Sequence, residues 1–136
     1  MTAAMIATKF NHTECLKLLT QIENLNWNLQ DEDGHTVVHL ATQYGNLECL
    51  RILSKVESIN WNLQSKEGDT AAMLAVMENK LAILKLLLQV KSIDWNIQNQ
   101  EGMTAAIIAA DGNHTDSSKL LTQLDKVNSS NSALCS

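Results

Sequence analysis

Leu25-Asn26-Trp27-Asn28-Leu29-Gln30 returns as Ile59-Asn60-Trp61-Asn62-Leu63-Gln64 and again as Ile93-Asp94-Trp95-Asn96-Ile97-Gln98. Each Trp lies 34 residues after the last. A fixed period of this size, kept without slippage, is the mark of stacked supersecondary units rather than of one globular core. Within each copy apolar residues alternate with Asn, Asp or Gln, the pattern of an extended, half-buried segment. The three Trp are therefore expected to point inward and to line up along the stack.

Other columns keep the same register. Thr2, Thr36, Thr70 and Thr104 match, followed five positions later by Ala7, Ala41, Ala75 and Ala109. Gly34, Gly68 and Gly102 each precede a Thr by two residues, and Leu19, Leu53, Leu87 and Leu121 mark the second half of each unit. Thr is a good helix N-cap, since its hydroxyl accepts a first-turn N–H. A short first helix is predicted from Thr36 to about Tyr44, stopping at Asn11, Gly45, Asn79 and Asn113, because Asn and Gly tolerate a left-handed stop. Second helices are predicted from about Leu47 to Lys55 and Leu81 to Gln89. Between units, Asp31-Glu32-Asp33-Gly34, Ser65-Lys66-Glu67-Gly68 and Asn99-Gln100-Glu101-Gly102 carry turn chemistry. The units run over about 1–30, 31–64, 65–98 and 99–127, with 128–136 a disordered polar tail.

Unit two reads Asp31-Glu32-Asp33-Gly34-His35-Thr36-Val37-Val38-His39-Leu40-Ala41-Thr42-Gln43-Tyr44-Gly45-Asn46. It resembles the ankyrin repeat, D-x-x-G-x-T-P-L-H-x-A-A-x-x-G-H, at Asp31, Gly34, Thr36, His39, Ala41 and Gly45. The resemblance covers about residues 1–126. It implies an all-α repeat fold: an ankyrin-type solenoid of stacked helix-turn-helix units with short β-like fingers. Three departures stand out. The period is 34 rather than about 33. The proline after Thr is replaced by Ala3, Val37, Ala71 and Ala105. The histidine that would tie neighbouring loops together remains only as His39, with Met5, Met73 and Ile107 elsewhere. Modest stability is expected.

The ends differ. Thr115, Ser117 and Ser118 stand where other units carry Leu, Cys or Ile, which reads as a polar C-terminal cap. Met1 is in register with His35, Asp69 and Met103, so the chain starts inside a unit, with Phe10 partly exposed. The alternative follows that this is the ankyrin portion of a larger regulatory protein, such as a channel, kinase or ubiquitin-ligase receptor.

Composition narrows the chemistry. Net charge is −5 with no cluster of Lys or Arg, which argues against a nucleic-acid partner. No apolar run approaches the ~18 residues that a membrane span needs. Three cysteines form no disulfide framework; Cys15 and Cys49 hold equivalent positions and are expected to be free thiols, in a cytoplasmic or nuclear setting. Sequons occur at Asn11, Asn113 and Asn128, but the first two read better as helix stops. No phosphate loop, nucleophile elbow or zinc spacing is present, and no cofactor is expected. His35 and His39 could offer two metal ligands without a third, and His39 reads as a structural residue. Cys49 beside Glu48 has no base placed near it. An enzyme is not expected.

The resemblance places partner contacts at finger tips and at the outward ends of first helices. These are Phe10, with Lys9, in unit one; Glu32, Asp33, His35, Gln43 and Tyr44 in unit two; Lys66, Glu67, Asp69, Met77 and Glu78 in unit three; and Gln100, Glu101, Met103 and Asp111 in unit four. Aromatics and Met make anchors, and solvated acidic tips would steer a basic or amphipathic segment of a protein partner. The chain is expected to be a monomer.

Overall fold

A computed structural model describes residues 1–123. It is a stack of helix pairs. First helices are α1 (Ala3–Lys9), α3 (Val37–Gln43), α5 (Ala71–Met77) and α7 (Ala105–Asp111). Second helices are α2 (Thr13–Leu19), α4 (Leu47–Leu53), α6 (Leu81–Leu88) and α8, helical over 115–123. α1, α3 and α5 each pack on their own second helix, and the first helices pack one on the next from α1 to α7; α2, α4 and α6 form a row behind. The proposed tail and the fourth Trp position, Ser129, lie outside the described residues.

The helix starts follow from the Thr column. Thr2, Thr36, Thr70 and Thr104 are extended, and each side chain accepts the backbone N–H three residues on, from Met5, His39, Met73 and Ile107. The missing proline is thus no obstacle, since the cap alone defines the first turn. The stops also match. Asn11, Asn79 and Asn113 adopt φ of 59°, 55° and 57°, and Gly45 adopts 68°. The second helices end sooner than the sequence suggests, at Leu53 and Leu88, with Ser54 and Gln89 as C-caps.

Small residues let the first helices approach. Ala41, Ala75 and Ala109 are fully covered, and Ala4, Ala7, Ala71, Ala72 and Ala105 are buried beside them. Leu16, Leu50, Leu53, Leu84 and Leu87 fill the layer between helix rows. Unit one differs on its outer side. Ile6 and Leu18 are 43% and 65% exposed, where Leu40 of the next unit is 3% exposed. Likewise Cys15 is exposed and Cys49 buried, so equivalent positions differ in what covers them; both are free thiols.

The Trp segments depart from the extended reading. Trp27-Asn28 and Trp61-Asn62 sit in turns, and no strand occurs among the described residues. The cause is local. Asn26, Asn60 and Asp94 each accept, through the side-chain oxygen, the N–H two residues on, at 3.0, 2.9 and 2.9 Å. Such side-chain turns compete with strand ladders. Trp27 and Trp61 are buried as expected, at 4% exposure each. Trp95 is only half-buried; the residues one period on lie outside the described range.

The polar neighbours of the Trp act as staples between units while remaining open to solvent. Asn28 donates to the Ser58 carbonyl at 3.0 Å and accepts from the Asn60 N–H at 2.7 Å. Asn62 repeats this on Ser92 and Asp94 at the same distances. Gln30 donates to the carbonyls of Gly34 and Gln64, and Gln64 to those of Gly68 and Gln98. Each carboxamide therefore ties one finger to the next.

The capping reading of unit four changes. Ser117 is fully buried, and its hydroxyl has no hydrogen-bond partner among the described residues. It occupies the inward column of Cys49 and Ile83, facing the stack. The exposed polar positions are its neighbours Thr115 and Asp116.

Candidate partner-binding face

The finger tips are shaped by their own side chains. Asp31 Oδ1 accepts the N–H groups of Asp33 and His35, both at 2.9 Å. Asn99 Oδ1 does the same for Glu101 and Met103, at 2.9 and 3.0 Å. Ser65 accepts only from Asp69, at 3.3 Å. Gly34 and Gly68 then close the turns at φ of 80° and 84°, where a Cβ would come within 2.8 Å of Lys66 N and 2.7 Å of Gln100 N. Only glycine allows that approach, and through it adjacent tips join: Lys66 N–H donates to Asp33 O and Gln100 N–H to Glu67 O.

His39 anchors the tips of units two and three. Its Nδ1 accepts from Thr36 N–H at 3.1 Å, and Nε2 donates to the Asp69 carbonyl at 2.8 Å. The ring is fully buried. Burial pushes its pKa down to about 4, with the Asp69 carbonyl pulling the other way and His35 nearby adding to the fall. The ring is neutral at ordinary pH and committed to structure, as the loop-tying reading requires.

The expected contact residues fall into two groups. In the first half of the face, Phe10 and Tyr44 are 59% and 46% exposed. The Lys9 ammonium lies over both rings, 5.6 and 5.5 Å from their centroids. Such contacts hold a flexible cation against an aromatic pair. Gln43 is exposed beside Tyr44. Glu32 and Asp33 are exposed tips along a shallow depression that also includes Met1 and Gln30. His35 is half-buried instead, stacked on His39 with ring centroids 5.4 Å apart.

In the second half, a groove of about 310 Å³ runs between units three and four. Glu67, Asp69, Met77, Gln100, Glu101, Met103 and Asp111 line it, together with Asn99 and Ile108, which the sequence reading did not single out. Asn99 shares a column with the turn residues Asp31 and Ser65, and that register was the available signal. Met77, at the end of α5, forms part of the groove wall. Lys66 and Glu78 are exposed outside it. One member is corrected outright: Asp69 is not a solvated tip. It is 4% exposed, with Oδ1 accepting from Asn99 Nδ2 at 3.1 Å. Its main chain must approach His39, which draws the residue into the stack.

The remaining chemistry is sparse. Asp31, Asp33 and His35 offer ligand atoms within 4.8 Å of one another, a set the sequence reading missed, but Asp31 already serves its own turn. The Cys49 thiol is raised by burial and by Glu48, which opposes thiolate formation. No helix among the described residues is long and apolar enough to cross a membrane. The family model for ankyrin repeats (3 copies) matches residues 1–62 and 56–132. No curated protein matches the chain.

Proposed function

Since this chain belongs to the ankyrin repeat family, whose repeats are generally protein–protein interaction modules, we propose a non-catalytic adaptor. Its concave face receives a segment of a protein partner that is basic at one end and apolar at the other. The carrying observation is the division of that face. An aromatic pair gripping Lys9 occupies units one and two; an acidic, methionine-walled groove occupies units three and four. The two are about two unit steps apart. With packed helices ~8–10 Å apart, that is ~16–20 Å. An extended segment rising ~3.3 Å per residue spans this in about five or six residues. The free, exposed thiol of Cys15 suits a cytoplasmic or nuclear setting.

The test replaces both anchors. A partner is captured by cross-linking to the full chain and identified, and its affinity is then measured for wild type and for the Tyr44→Ala, Glu67→Ala double variant. The expected loss is at least about tenfold, in the range of anchor residues at interfaces. Unchanged affinity with an unchanged melting temperature would place the contact elsewhere.

A further inference from the structure

Asp69 is a buried carboxyl group at the edge of a groove, with no cation paired to it among the described residues. Its Oδ1 accepts from Asn99, and the ion pairs among the described residues, Lys17–Glu14 and Arg51–Glu48, lie far away on second helices. Removing a carboxylate from water is costly unless a cation or a full set of donors compensates. Yet this carboxylate lines an open groove, where a cation can arrive from outside. Glu67, Glu101 and Asp111 stand around the same groove, and Met77, Met103 and Ile108 give it apolar walls. One unit earlier, the columns of Asp69 and Met77 hold His35 and Gln43, so the feature is particular to units three and four.

We propose that this groove takes the side chain of a single arginine from the partner segment. The inference rests on the partner-binding reading above and names its basic end. The arginine methylenes lie along Met77 and Met103, and the guanidinium turns to Asp69 and the surrounding carboxylates. An apolar wall beside several acceptors suits a side chain with an apolar stem and a charged head. Arginine fits better than lysine, because its planar fork offers five donors to separate acceptors and is less strongly hydrated. A bare divalent cation would gain nothing from the methionine walls, being a hard ion that takes oxygen ligands.

The full chain, labelled at methionine methyls, is titrated in an NMR experiment with Nα-acetyl-arginine N-methylamide. Saturable shifts are expected at Met77 and Met103 and at the Asn99 side-chain amide, while the buried Met5 and Met73 stay still. The citrulline analogue, of the same shape without charge, should leave all of them unmoved. Glu101→Gln with Asp111→Asn, both exposed, should weaken the arginine compound at least fivefold without changing the melting temperature. Asp69→Asn should abolish the shifts, but its burial makes the double variant the cleaner arm. Equal shifts with citrulline, no saturable shift at Met77 and Met103, or the same shifts from calcium chloride alone would each overturn the proposal. Loss of the captured partner in the Tyr44→Ala, Glu67→Ala variant, combined with silence toward arginine, would leave the adaptor reading standing and remove only this one.

Discussion

The base of each finger and its tip are only a few residues apart, yet they are built differently. At the base the same atoms meet at the same distances one period on. Asn28 holds Ser58 and Asn60 as Asn62 holds Ser92 and Asp94. At the tip the backbone path is kept while the side chains change: Glu32, Lys66 and Gln100 share one column, and Asp31, Ser65 and Asn99 another. Strict repetition marks the joints of the stack. Variation among exposed side chains that make no such bond, as at Glu32 and Lys66, marks positions the stack does not need, which are free to carry recognition.

The largest test of that division is Trp61→Ala. The ring is buried at the base, so its loss removes apolar contact and leaves a cavity. Truncations of this kind cost about 3–5 kcal/mol. Thermal unfolding should show the drop, and partner affinity measured on the folded fraction should be unchanged. Trp95→Ala should cost less, since that ring is half-buried. Full stability in the Trp61 variant with lost binding would turn the base into the recognition surface.

Next in size is the acid sensitivity of His39, which joins the tip loops of units two and three. In the folded chain its pKa is about 4, against about 6.5 when exposed. Between those values the unfolded state binds more protons, so stability rises with pH. The contribution is complete above about pH 6.5 and lost as pH falls toward 4. At about 1.4 kcal/mol per unit it is on the order of 3 kcal/mol. Urea unfolding of wild type and His39→Met between pH 4 and 7 should show a steeper pH dependence in wild type. Parallel curves would mean that the ring is not held neutral by burial.

How much of this was legible beforehand follows from the same division. Thr caps, Asn and Gly stops and Gly turns each act within a few residues, and local chemistry can be read from local sequence. Register aligned Glu67 with Glu101 and Met77 with Asp111, but only the stacked geometry brings those two columns together in one groove. The carboxamide staples were not legible. An Asn beside a Trp has the same alternating pattern whether it faces water or a backbone 30 residues away, and only the stacked geometry decides. Asp69 escaped for a related reason. It sits in a varied column next to acidic tips, and its burial is imposed by His39 of the preceding unit. Ser117 was read from its polarity, whereas its column already pointed inward in Cys49 and Ile83.

The staples provide a smaller test. Asn62→Ala removes two hydrogen bonds to the next unit, but Ser92 and Asp94 are exposed, so water replaces what is lost. A net hydrogen bond contributes about 0.5–1.5 kcal/mol, and the pair should cost about 1–2 kcal/mol, read as a fall in the denaturation midpoint. Asn62→Asp should recover little. It can still accept from Asp94 N–H, but it cannot donate to Ser92 O, and it sets a second charge beside Asp94.

The smallest expected effect is at the tip itself. Glu67→Ala and Lys66→Ala change exposed side chains while keeping the backbone groups that join tips, Lys66 N–H to Asp33 O and Gln100 N–H to Glu67 O. Gln100 also reaches the Lys66 carbonyl, which either substitution preserves. Surface changes away from such features stay within about 0.5 kcal/mol, so both variants should melt with the wild type. Glu67→Ala should nevertheless weaken partner binding, because it removes a carboxylate from the groove. If either variant destabilises the chain as much as Asn62→Ala does, then the tip is a joint like the base, and its variation cannot be assigned to recognition.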